Sequence, residues 1–205
     1  MIAGLLSPSA GTIEFNGAAV KGVDRRIGYV TQSHNLFPWR TLKDNVSFPL
    51  EITGIAKAER NERAEYWINR VGLRGFENSY PHELSGGMRQ RGNIVRTLIY
   101  GPSVILMDEP FGPLDAQTRI TLQELLLELW AQTKSTVVFI THDLAEAVAL
   151  GDRVILMGAN PGRIINVEPV EIARPRDIHH LHDNSEFRAV YDKVWNALKV
   201  ASVAA

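Results

Sequence analysis

The chain contains no cysteine, which excludes disulfides and thiolate zinc sites and suits a reducing compartment. It lacks a charge imbalance. Its 22 Lys and Arg face 23 Asp and Glu, for a formal net charge of −1, which argues against non-specific attachment to nucleic acid or to an anionic membrane. No apolar run approaches the roughly eighteen residues needed to span a bilayer. No basic segment precedes an apolar one among the first residues, so a secretory signal is not expected. Internal repeats and low-complexity tracts are absent. Nowhere does a G-x-x-x-x-G-K-[ST] run occur, the glycine loop that cradles nucleotide phosphates. What is present is 205 residues, 45% of them hydrophobic. That suffices for one proper core, expected as one domain with a subdomain, and any membrane role is expected to come through a partner.

Three stretches follow one another. From Met1 to Gln32, the run Thr12–Phe15 ends at Asn16-Gly17, a hairpin signal, and Arg25–Val30 reads as a strand delivering Gln32. Between Ser33 and Gly101 the pattern turns helical. Thr41 with Asp44 resembles a capping box, and Ala56–Val71 is charged on one side and apolar on the other. From Ser103 onward, apolar runs alternate with helices as in a parallel α/β sheet. Val104–Met107, Val137–Ile140 and Val154–Met157 are predicted strands, and Leu122, Leu125, Leu126, Leu129 and Trp130 share one helix face. Asn160-Pro161-Gly162 turns the chain into Ile164–Val167. The more polar residues after Arg174 read as a solvated tail.

Several short motifs carry chemistry. Ser85-Gly86-Gly87 precedes a helical segment containing Arg89, Gln90 and Arg91. Adjacent glycines let a backbone approach a phosphate, and amides at a helix N-terminus favour an anion. A bare S-G-G is ordinarily a turn that caps a helix, but here the whole string is LSGGMRQR (Leu84–Arg91), about twenty residues before an acidic strand end. Asp108 and Glu109 close the run Val104–Met107. In an open α/β sheet a carboxylate at that end faces the ligand crevice. One acid there suits Mg²⁺ held through water, and its neighbour suits an attacking water. His142 ends the next strand and can donate to a phosphate oxygen, while Asp143 with Glu146 would cap the following helix. Gln32 also ends a strand, where its amide oxygen can join a Mg²⁺ shell. His179, His180 and His182 invite a metal reading, but adjacent histidines do not share a face and no cysteine assists, so solvation is the better reading.

In order and approximate separation, LSGGMRQR, ILMDEP (Ile105–Pro110) and ITHD (Ile140–Asp143) resemble the motifs of the nucleotide-binding subunits of ABC transporters. Leu36–Thr41, Asn160–Arg163 and Arg174–Asp177 resemble the nitrate/sulfonate/taurine/bicarbonate importer group. The resemblance implies a P-loop NTPase-like ABC nucleotide-binding domain, α/β, with a parallel sheet core (1–32 and 103–168), a helical subdomain (about 33–101) and a C-terminal tail (about 169–205). It implies an ATP hydrolase, using ATP and Mg²⁺, that acts as the energy-coupling subunit of an importer. Asp108 and Gln32 would ligate Mg²⁺, Glu109 would polarise water and His142 would sense the γ-phosphate. Ser85, Gly86 and Gly87 would clamp the nucleotide of a second subunit in trans, and Asp115 would lie at the dimer contact. The implied partners are an integral-membrane permease, a second ATPase subunit in a homo- or heterodimer and, indirectly, a periplasmic or extracellular solute-binding protein. No nucleic acid is implied. The implied location is cytoplasmic, peripheral on the inner face of the membrane.

Two departures stand out. Gly92 and Thr97 occupy the helix after LSGG, where the family more often has Val or Ala, and Ala. Interior Gly costs about 1 kcal/mol against Ala, so a weaker helix is expected. The larger departure is the missing phosphate loop. The opening Met1–Leu6 resembles the stretch that follows it, so the chain is expected to be N-terminally truncated. Losing even two charge-assisted bonds of roughly 1.5–3 kcal/mol each weakens ATP binding on the order of a hundredfold or more. Turnover by this polypeptide alone is therefore not expected. The alternatives are a catalytically inactive interaction subunit lending its LSGG loop, or a truncated gene product.

Overall fold

A computed structural model of the chain describes residues 1–159 and 161–203, the last three by their backbone alone. It forms two compact units. One comprises Met1–Thr118 with Trp130–Ile140, the other Arg119–Leu129 with Thr141–Ala205.

The first unit opens with the predicted hairpin. Strands β1 (Glu14–Phe15) and β2 (Ala18–Ala19) pair antiparallel across Asn16 and Gly17, which lie at φ 50° and 73°, the turn geometry that matches strand twist. A parallel sheet follows, in the order β3 (Ile27–Val30), β4 (Val104–Asp108), β5 (Thr136–Ile140). β4 is central and buries Ile105, Leu106 and Met107. β5 is an edge, with Val138 37% and Ile140 54% exposed.

Between β3 and β4 the chain is helical, as its pattern predicts: α1 (Leu42–Ile52), α2 (Lys57–Arg70) and α3 (Gly86–Leu98). The Thr41 hydroxyl caps α1 by accepting the Asp44 amide at 3.2 Å. α1 packs on both other helices and buries Leu42, Val46, Leu50, Ala64, Ile68 and Ile94, at about 1.5–3 kcal/mol for each large apolar side chain. Asn45, fully buried, ties the preceding loop to α1. Its amide donates to the carbonyls of Phe37, Arg40 and Thr41 at 3.0–3.1 Å, and its oxygen accepts the Phe37 amide at 2.7 Å.

The two unusual residues of α3 have packing reasons. A Cβ at Gly92 would stand 2.7 Å from Leu42 Cδ1, so glycine permits α1 and α3 to close up. A Cβ at Gly28 on β3 would stand 2.7 Å from Thr97 Cγ2. The larger residue on the helix thus meets the smallest on the strand, and close packing offsets the propensity cost expected for this helix.

The second unit departs from the predicted pattern in two ways. β6 (Arg153–Gly158) and β7 (Arg163–Pro169) are strands, but they pair with each other antiparallel and do not continue the parallel sheet. Only four residues separate them along the chain, and antiparallel pairing is what so short a connection allows. Asn160 lies outside the described residues. The solvated tail is the second correction. α6 (Ser185–Val203) is a long helix that buries Phe187, Val190 and Val194, one face at i, i+3 and i+7, against α5 (Leu144–Leu150) and the hairpin. Asn184 caps it, accepting the amides of Glu186 and Phe187. Arg176, 7% exposed, donates to the carbonyls of Val148, Ala149 and Gly151 at the end of α5 and to that of Ile172. Of α4 (Ala116–Thr133), the residues Leu122, Leu126 and Leu129 belong to the second unit and are buried.

Candidate functional site

The parallel register of β3 and β4 brings three of the predicted residues together. Asp108 ends β4, Glu109 follows it, and Gln32 lies two residues past β3. Gln32 Nε2 donates to Glu109 Oε2 at 3.1 Å. Glu109 has φ 43°, a left-handed conformation that costs a non-glycine residue roughly 1–2 kcal/mol and that recurs at functional turns. The turn is held by its own backbone. The Glu109 amide donates to the Ile140 carbonyl at 2.9 Å, and the Gly112 amide to the Glu109 carbonyl at 3.2 Å. Phe111, fully buried, packs against Phe139 with ring centroids 5.6 Å apart and anchors the far side. Tyr29 was not singled out from sequence, yet its hydroxyl donates to Asp108 Oδ2 at 3.3 Å. It pairs with Leu106, which places it diagonally across from Asp108 on the same face. Partial desolvation, and then the Asp108 carboxylate, push the Tyr29 phenol above its ordinary range.

The donor set suits a cation held largely by water and phosphate. Asp108 and Gln32 offer hard oxygens, and no group of three or more His, Asp or Glu side chains among the described residues could enclose a metal ion. Mg²⁺ typically takes only one or two carboxylates from a protein and fills its octahedron with water and substrate oxygens.

Ser85 is the N-cap of α3. Its hydroxyl accepts the Met88 amide at 3.2 Å, leaving Gly86 and Gly87 as the first helical residues, whose amides have no partner within the helix. Gly87 is buried, and a Cβ there would stand 2.5 Å from Thr118 Cγ2. Thr118 in turn donates its hydroxyl to Asp115 Oδ2 at 2.7 Å, and its amide to Asp115 Oδ1 at 2.9 Å. The N-termini of α3 and α4 thus adjoin, with Asp115 capping α4. These bonds hold the Asp115 carboxyl below its usual range.

His142 belongs to the second unit, between β5 and α5. Asp143 caps α5 as predicted, accepting the amides of Ala145 at 2.8 Å and Glu146 at 3.2 Å. Glu146 does not join that cap. Its carboxylate is buried and bonded to Thr141 and Gln123.

A sheet of this topology, with acids after its central strand and a capped S-G-G helix, matches known proteins. The family model described as ABC transporter matches residues 1–112. An ABC transporter ATP-binding protein of Methanocaldococcus jannaschii is 48% identical over 199 residues, covering 97% of this chain and 73% of that one. The chain belongs to the ABC transporter family. A nitrate import ATP-binding protein of Synechocystis sp. is 40% identical over 204 residues, covering 97% of this chain and 77% of its own. Among solved structures, a dimeric ATP-binding cassette in a post-hydrolysis state, bound to ADP and Pi, superposes with a TM-score of 0.71. It is 32% identical and covers 82% of this chain and 77% of its own. The α/β fold is that of an ABC ATPase domain.

Some residues around Asp108, Gln32 and Ser85 gave no signal in the sequence. Tyr29 and Thr118 are defined by register and by helix approach, which no local motif encodes. Arg96 is another. Its guanidinium donates to the carbonyls of His34 and Asn35 and to Asn93 Oδ1 at 2.8–3.3 Å, fastening the segment after Gln32 to α3. The histidines of the C-terminal segment diverge. His179 meets Glu124 at 3.3 Å, His180 meets Asp177 at 2.8 Å, and His182 lies edge-on to Phe187.

Proposed function

We propose that the protein is the ATP-binding, energy-coupling subunit of an ABC importer for a small solute of the nitrate, sulfonate, taurine or bicarbonate kind. The observation that carries this reading is the hydrogen bond between Gln32 and Glu109 beside Asp108, at the C-terminal ends of adjacent parallel strands. In this reading Asp108 and the Gln32 amide oxygen hold Mg²⁺. The bound cation supplies Lewis-acid stabilisation of charge on phosphate oxygens. Glu109 orients and polarises the attacking water, with Gln32 fixing one carboxylate oxygen so that the other faces the water. His142 donates a hydrogen bond to the γ-phosphate and reports its presence. Ser85, Gly86 and Gly87 present helix-end amides to the nucleotide of the opposing subunit, and Asp115 lies at that dimer contact.

The helical segment 33–101 is assigned to the permease. Trp39, 71% exposed in the loop fastened by Asn45, suits such a contact. No helix among the described residues is long and apolar enough to cross a membrane, so attachment to the inner face of the membrane runs through that permease. A solute-binding protein completes the importer.

A second reading has an observation of its own. The LSGG helix end is fully built, with Ser85 capping α3 and Gly87 seated against Thr118. The chain then acts as an interaction subunit, completing the site of a partner that carries the phosphate loop.

The first reading is tested in a fusion that places a relative's phosphate-loop segment ahead of Met1. Glu109→Gln should lower hydrolysis by orders of magnitude while ATP binding survives. Unchanged turnover in that variant would reduce Glu109 to a strand-end acid.

A further inference from the structure

His142 is flanked by a closed hydrogen-bond circuit. The Thr141 hydroxyl donates to Glu146 Oε2 at 2.8 Å and accepts the Asp143 amide at 3.0 Å. One hydroxyl therefore links the residue before His142 to the residue after it. The circuit is braced from α4. Gln123 Nε2 donates to Glu146 Oε1 at 3.1 Å, and Arg119 lies 3.7 Å from the same oxygen and 3.4 Å from Asp143 Oδ2. Asp143 Oδ1 is engaged by the amides of Ala145 and Glu146.

Glu146 is 6% exposed and Gln123 likewise 6%. Burying a carboxylate is costly unless its oxygens are paired, and here both are. An apolar residue would serve the packing of so short a helix with no such cost. The carboxylate is accounted for by what it grips, a hydroxyl that closes the turn around a single residue.

We propose that Thr141 and Glu146 form a clamp that fixes the backbone turn at His142 and so sets the direction of its imidazole. Thr141 and Glu146 are positioning residues. Gln123 and Arg119 hold the clamp from α4. The functional weight of the proposal rests on the reading of His142 as the γ-phosphate sensor. A hydrogen bond to a phosphate oxygen fails within a few tenths of an ångström, so such a sensor gains from a turn with no freedom of its own.

The test needs no nucleotide and uses the full 205-residue chain. Mass spectrometry reads two exchange rates: backbone amides in the segment 141–146, and the C2 hydrogen of the His142 ring, which reports its pKa and access. Thr141→Val keeps the shape and removes the hydroxyl. The Asp143 amide should exchange about tenfold faster, the ratio expected for one lost hydrogen bond, and the His142 ring rate should change with it. Thr141→Ser should restore both. Glu146→Met, of similar volume, should reproduce the valine result. Amides of α3 should hold their rates throughout.

Wild-type exchange at Asp143 and His142 in both variants would overturn the clamp. A uniform rise across all amides, or loss of the cooperative fold in both variants, would also overturn it, by reducing the two residues to structural supports. These failures leave the sensor reading standing. That reading fails separately, if His142→Ala in the phosphate-loop fusion leaves the response to nucleotide unchanged.

Discussion

Gly87→Ala offers a worked test of how the LSGG helix end is seated. The added Cβ would lie 2.5 Å from Thr118 Cγ2, well inside contact. Thr118 cannot swing away freely, because its hydroxyl is bonded to Asp115 Oδ2 at 2.7 Å, and a hydrogen bond to a charged group contributes roughly 1.5–3 kcal/mol. Overpacking in general costs about 1–3 kcal/mol, against which alanine gains at most about 1 kcal/mol of helix propensity over glycine. The net expectation is a loss of about 1–2 kcal/mol, or some 2–8 °C in Tm for a chain of this size. Thr118→Ser removes the offending methyl and keeps the hydroxyl; the next atoms, at 3.8 and 3.9 Å, are ordinary contacts. The double variant Gly87→Ala with Thr118→Ser should therefore regain wild-type stability. Urea unfolding of the four proteins of the cycle gives the coupling, expected at about 1–2 kcal/mol. Additive single effects, or a tolerated Gly87→Ala, would show that the two helix ends do not meet as described.

Further outcomes follow from the same geometry. Asn45→Ala removes four hydrogen bonds from a fully buried hub and should destabilise the fold by about 2–4 kcal/mol by urea unfolding; a change within about 0.5 kcal/mol would refute the hub. Arg176→Met strips the carbonyls of Val148, Ala149 and Gly151 of their donor and should lower Tm by several degrees, roughly 1–3 kcal/mol; an unchanged Tm would show that water replaces it without loss. Val138→Lys, at the open edge of β5, should reduce self-association of the 205-residue polypeptide in size-exclusion chromatography, and identical elution would argue that this edge is not the point of contact. The same polypeptide should show no saturable ATP binding at micromolar nucleotide, and tight Mg²⁺-dependent binding would mean that another segment substitutes for the phosphate loop.

What was legible in the sequence was local. The Asn16-Gly17 turn, the caps at Thr41 and Asp143, and the apolar strand ending in Asp108 each announce themselves through a few adjacent residues with one physical job. Pairing between distant segments was not legible. β6 and β7 read as strands, and Asn160-Pro161-Gly162 read as the turn between them, but nothing within Val154–Met157 told an antiparallel neighbour from a place in the parallel sheet. α6 was hidden by its charged residues, although Asn184 followed by Phe187, Val190 and Val194 carries the cap and the period of a helix. Thr97 looked like a weak choice only because Gly28, the residue it packs against, lies 69 positions away. Tyr29 and Thr118 escaped for the same reason, and Glu146 was read as a cap partner instead, since each acquires its role from a register or a helix approach.

The most direct test of the central claim uses a mixed dimer. A homologue with an intact phosphate loop is disabled in its own LSGG loop, so that it cannot hydrolyse ATP alone, and this chain is added. Hydrolysis should return through Ser85, Gly86 and Gly87, and should vanish again with Ser85→Arg. A dimer that demonstrably forms yet stays inactive would contradict the account.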